Sequence, residues 1–88
     1  LRYFKRLKSV EKSTEEQGYI YYCCRTYSRR EKRVQQKIDR LCDLAAGEYA
    51  AALREFLLTD ADWIYICQKH HISESTLDRI RRRFYELW

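Results

Sequence analysis

The chain has no proline and no methionine, and only two glycines, Gly18 and Gly47, among its 88 residues. Each absence removes a class of answer. Few proline and glycine breakers leave little to punctuate a series of short strands, so helices joined by a few turns are expected and the fold class is all-α. Nowhere do the ~18 to 20 apolar residues of a membrane span run together, and Leu1 to Phe4 is too short for a signal-peptide core, so a soluble cytoplasmic protein is expected. Lack of methionine, even at position 1, is expected of a segment of a longer product. There is no glycine-rich phosphate loop, no recognisable grouping of serine, histidine and acid, and no acid pair beside a metal motif. Neither catalysis nor a cofactor is expected.

The cysteines are few and form no framework. Cys23, Cys24, Cys42 and Cys67 include no Cys-x-x-Cys, and adjacent Cys23 and Cys24 close a disulfide only through a strained peptide. Cys67 lies one helical turn from His70 and His71, which with Cys42 offers zinc-ligand chemistry. No motif fixes such a ligand set, and reduced thiols filling small apolar gaps are the expected role.

Charge is abundant. Charged residues make up 35% of the chain with a net charge of +5, a balance that suits a polyanionic partner. A chain of this size forms one domain with a modest core, burying roughly 60 to 65 per cent of its unfolded surface.

In the N-terminal part, Tyr3, Phe4, Leu7 and Val10 fall at helical spacing among basic residues, so Leu1 to Lys12 reads as the tail of a helix. Ser13 with Glu16 three positions on is a capping box, which starts a new helix, and Gly47 is its natural stop. The spacing predicts one helix from Thr14 to Ala46, ~50 Å long. Along it, Ile20, Cys24, Tyr27, Glu31, Val34, Ile38, Leu41 and Ala45 alternate steps of four and three, a heptad seam broken by Glu31. The seam calls for a helical partner, either a second copy in a homodimer or the rest of its own chain. Gly18 or the Tyr27-Ser28 step is where such a helix would break. Tyr19, Tyr21, Tyr22 and Tyr27 beside Arg25, Arg29, Arg30, Lys32 and Arg33 could stack bases of a single strand, but rings packed inward with wet hydroxyls are the preferred reading. Residues 1–47 are thus a helical segment for packing or dimerisation, and residues 48–88 a separate functional region within one compact domain.

In that second region, Glu48 to Leu58 places Tyr49, Ala52, Leu53 and Phe56 on one face, and Thr59-Asp60 reads as the cap of the next helix. Trp63, Ile64, Ile66 and Cys67 are the apolar positions of that helix. After Lys69-His70-His71-Ile72, Ser73 is a good N-cap, and Leu77, Ile80, Phe84 and Leu87 form one stripe. This is the pattern of a helix-turn-helix with its supporting helix, in which the second helix enters the DNA major groove. Trp63, Ile66, Leu77, Ile80 and Phe84 should form its core. The outer face is taken to carry four arginines. Ser73, Glu74, Ser75, Thr76, Asp78, Arg79, Arg82 and Arg83 are the candidate DNA-binding residues. Arg79 and Arg82 can bond guanine O6 and N7 in two places, the hydroxyls and amides near Ser73 suit phosphates, and Glu74 can select cytosine. In the turn, His71 stands where glycine is common, and histidine is among the residues that tolerate positive φ.

From about Tyr19 to Leu87 the chain resembles the RinA/ArpU-type phage transcription regulators. The residues that carry the resemblance are Tyr21-Tyr22-Cys23-Cys24-Arg25, Arg54-Glu55-Phe56-Leu57-Leu58 and Ile64 to Arg82. The specific block is His-Ile-Ser-x-x-Thr-x-x-Arg-Ile from His71 to Ile80, which is also similar to the DNA-binding part of sigma factors. The resemblance implies a prophage-encoded activator of late genes in a bacterial host, reading double-stranded DNA with Ser73, Ser75, Thr76, Arg79 and Arg82. Two alternatives stand beside it: a DNA-packaging component of the small-terminase kind, and a module that binds a protein such as RNA polymerase.

Overall fold

Ser13 opens the first helix as the capping box requires. In the computed structural model, which describes residues 4–88, Ser13 Oγ accepts from the Glu16 amide at 3.0 Å, and the Glu16 carboxylate accepts from the Ser13 amide at 3.1 Å. Helix α1 spans Thr14–Arg25.

The single helix expected to run on to Ala46 is broken. After Arg25 comes a 3-10 turn at Tyr27–Arg29, and α2 spans Lys32–Ala46. Three polar contacts hold the corner. The Thr26 hydroxyl donates back to Tyr22 O at 2.7 Å, the Gln35 side-chain amide donates to Tyr27 O at 2.7 Å, and the Tyr27 hydroxyl donates to the Asp39 carboxylate at 2.9 Å. Glu31, the polar gap in the seam, stands at the N-cap position of α2, without a side-chain cap hydrogen bond. The corner turns both halves of the seam onto one core. Ile20, Cys24, Ile38, Leu41 and Ala45 are buried within the chain itself, so these seam positions pack on their own domain. Burial of both halves against neighbours outweighs helix continuity, because a short chain cannot cover an isolated 50 Å helix, to order of magnitude.

The stretch before Ser13 also departs from the helix expected there. Residues 4–12 are irregular backbone with a turn and bends, and the part of that expectation that falls on Leu1 to Tyr3 lies outside the described residues. The cause is Gln17, fully buried. Its Oε1 accepts from the Leu7 amide at 2.7 Å and its Nε2 donates to Leu7 O at 3.2 Å and Lys12 O at 3.1 Å. One side-chain amide thereby satisfies backbone groups that a helix would have paired internally. Leu7 and Val10 still share a buried side, through a turn rather than a helical face.

Gly47 ends α2 as expected, with φ 54° and ψ −118°, a conformation that L side chains rarely adopt. A 3-10 turn at Gly47–Tyr49 leads into α3, Ala50–Leu58, whose Ala52, Leu53 and Phe56 face inward. The link to α4, Trp63–His70, corrects the expected cap. Asp62, not Thr59-Asp60, accepts from the Ile64 amide, at 3.0 Å. The Thr59 hydroxyl instead donates back to Glu55 O at 2.7 Å, while Asp60 pairs with Arg25 at 2.6 Å and ties the link to the end of α1. Helix α5 spans Glu74–Leu87 and packs chiefly on α2, which also lies against α3.

A continuous core joins both halves of the chain. Ile20, Ile38, Leu53, Ile66, Leu77 and Phe84 are its most enclosed large side chains, and Trp63 closes one edge with its ring 5.0 Å from Phe56 in a T-shaped contact. Two residues expected on apolar stripes are outside it. Ile64, in the first turn of α4, and Leu87, at the end of α5, are 45% and 39% exposed. The described residues contain no helix long and apolar enough to cross a membrane.

Candidate nucleic-acid interface

The junction between α4 and α5 is three residues long and built from backbone geometry. The amides of His71 and Ile72 both donate to Cys67 O. His71 sits at φ 53°, ψ 48°, the left-handed conformation that a tight exit from a helix needs and that histidine accepts in place of glycine. Ile72 drops into the core. Ser73 then caps α5, its Oγ accepting from the Thr76 amide at 3.2 Å and donating to Thr76 Oγ1 at 2.8 Å.

Helix α4 is fastened from behind. Glu55 of α3 receives Lys69 at 3.0 Å and His70 at 2.8 Å, both in the last turn of α4, where the helix dipole also favours cations. Hydrogen bonds from His70 and then Lys69 hold the Glu55 carboxyl below its ordinary range. His70 occupies a position where an apolar side chain is common in such turns, and its contact with Glu55 replaces that packing.

With Leu77, Ile80 and Phe84 turned inward, helical spacing puts Ser75, Arg79, Arg82 and Glu86 at the middle of the outer face of α5, flanked by Asp78 and Arg83. The eight candidate residues divide in two. Arg79 and Arg83 are exposed, and among the described residues neither meets a carboxylate; Ser75 is exposed too, with its hydroxyl 3.3 Å from Ser73 Oγ. The others are already engaged. Glu74 accepts from the Trp63 indole at 3.1 Å, bracing the junction, and Ser73 and Thr76 share the cap. Asp78 holds Arg82 Nε at 2.7 Å and also Arg81. Burial pushes the Asp78 carboxyl up, but hydrogen bonds from Arg82 and Arg81 outweigh it and leave it below the ordinary range.

Two expectations about the arginines need correction. Arg81 does not belong to the outer face. Its guanidinium lies over the Trp63 ring at 5.0 Å and near Phe56, covering the core edge by cation–π contact. Arg82 is on that face but tethered, by Asp78 and by Ser9 Oγ, which accepts from its Nη1. Sequence reasoning missed Ser9, Trp63 and Glu55 as parts of this site. No local signal could reveal Ser9, because its partner stands 73 positions away.

Elsewhere the tyrosines split. Tyr27 and Tyr21 pack, the latter 5.5 Å from Phe4, whereas Tyr19 and Tyr22 are about half exposed, Tyr22 beneath Arg30. The described residues hold no cluster of three or more potential metal ligands, and Cys23, Cys24 and Cys42 are buried free thiols. Burial, with the neighbouring Cys42 and Cys23, pushes the Cys24 thiol far up, and burial with Asp43 pushes Cys42 to about 12, so neither is a ready nucleophile. No protein-family model, curated protein or solved structure matches the chain.

Proposed function

We propose that this chain is a sequence-specific duplex-DNA-binding transcription regulator in which α4, the His71 turn and α5 act as a helix-turn-helix, with α5 in the major groove. The observation that carries the reading is the outer face of α5. It presents Arg79 and Arg83 without carboxylate partners beside Ser75, on a helix whose other face is sealed into the core. A guanidinium free of intramolecular pairs can give both of its parallel N–H bonds to guanine. Thr76 and Ser73 at the N-terminus of α5, where the helix dipole is positive, favour phosphate oxygens. In this reading Arg79 reads a base, Arg82 is a prearranged contact at the groove edge, and Arg83 meets the backbone. Asp78 and Glu74 serve the protein scaffold, Asp78 by orienting Arg82 and Glu74 by bracing Trp63.

The likeness of the His71 to Ile80 block to RinA/ArpU-type regulators supports a prophage late-gene activator as the biological role. Since the seam is used within the chain, a dimer on two half-sites would need another face. Selection from a random duplex library tests the reading. A recovered motif that loses one preferred base when Arg79→Ala is used in place of the wild type supports it, and recovery of unenriched sequences contradicts it.

A further inference from the structure

The segment from Phe4 to Lys12 is remote in sequence from α5 yet reaches it. Its turn at Leu7 to Val10, closed by the Val10 amide donating to Leu7 O at 3.3 Å, keeps Leu7 and Val10 inside and leaves Lys8 and Ser9 exposed. The buried Gln17 amide pins that turn to α1. Arg82 Nη1 donates to Ser9 Oγ while its Nε stays on Asp78, so the exposed tip of the turn stands against the outer face of α5 at mid-length. A depression beside it is lined by Ser9, Val10, Glu11, Lys12 and Glu86, so two carboxylates and one ammonium border it.

Resting on the reading of α5 as the DNA-reading helix, we propose that the Leu7 to Val10 turn is a second duplex contact, in which Lys8 and the Ser9 hydroxyl hold the phosphate backbone flanking the groove. A helix ~10 to 12 Å across fills a major groove ~12 Å wide, so whatever stands beside its outer face meets a phosphate strand. At that place the turn offers an ammonium and a hydroxyl, both suited to phosphate. Because Gln17 holds the turn in place beforehand, binding orders little new chain. The contact is to backbone, so it adds affinity and register without altering which bases are preferred.

The test is a salt series of binding by the full chain to its selected duplex, using wild type, Lys8→Ala and, as a charge control, Lys32→Ala. Lys32 is the exposed first residue of α2. The expectation is that Lys8→Ala makes the slope of log affinity against log salt shallower by about 0.9, the loss of one phosphate contact, with base preferences and melting temperature unchanged. Lys32→Ala should match wild type. A Lys8→Ala slope equal to that of Lys32→Ala overturns the proposal while leaving α5 as the reader. Tighter binding by Lys8→Ala also overturns it, since the turn would then obstruct the duplex. A wild type that prefers no duplex removes the reading of α5 and this contact with it.

Discussion

The two sides of α5 differ in what they are free to do. On the inner side, Leu77, Ile80 and Phe84 are buried against α2 and α3, and each methylene there counts toward stability. On the outer side, Arg79 and Arg83 touch little of their own protein. Beside them runs a band of pairs, Asp78 with Arg81 and with Arg82 of the outer face, and Arg81 over Trp63, that fixes the helix edge without burying it. One helix thus keeps its core-forming and solvent-facing side chains on separate faces, and the paired band holds the edge of the outer face in place. The proposed regulator function needs that separation, because a reading side chain committed to the core could not be spared for a base.

The contrast breaks most sharply from the inside. Phe84→Ala should cost about 3 to 5 kcal/mol in a urea titration, enough to unfold much of a small domain, because a large aromatic leaves a cavity in a sealed core. Next in size, Gly47→Ala should cost about 1 to 2 kcal/mol although a Cβ there would meet nothing within 4 Å, since the whole penalty lies in the positive φ. An unchanged urea midpoint would mean that the α2 to α3 junction relaxes to another conformation. The smallest effect concerns the paired band. The Asp78 carboxyl is lowered in the folded state, so its contribution to stability is present above about pH 4, the unfolded value, and fades as pH falls through the folded one. Asp78→Asn should melt slightly below wild type at neutral pH, with the difference closing in acid. A gap that stays constant down to pH ~2 would assign Asp78 a packing role instead.

How much of this was legible depended on how local the cause was. The Ser13 capping box, the Gly47 stop, the His71 turn and the Ser73 cap are each decided within a few residues, and each stands where the pattern put it. The corner from Thr26 to Glu31 contains the Tyr27-Ser28 step, one of the two places where the sequence offered a break, while the helix runs through the other, Gly18. Apolar period alone cannot tell a straight helix from two helices turned onto one core, and contacts from Gln35 and Asp39 settle it. The turn before Ser13 kept helical spacing of apolar residues while Gln17 drew its backbone out of a helix. In the candidate site, the exposed Arg79 and Arg83 followed from helical spacing. The commitments of Glu74 to Trp63 and of Arg82 to Ser9 did not, because they join elements through tertiary packing.

The central claim is that the outer face of α5 reads duplex DNA while the inner face holds the fold. Affinity of wild type and Arg79→Ala for the selected duplex and for a scrambled one, measured by fluorescence anisotropy at fixed salt with melting temperatures in parallel, addresses it most directly. The account predicts that Arg79→Ala melts as wild type does and loses about 1 to 3 kcal/mol on the selected duplex alone, so that its specificity ratio falls. Equal affinities of both proteins for both duplexes would contradict it.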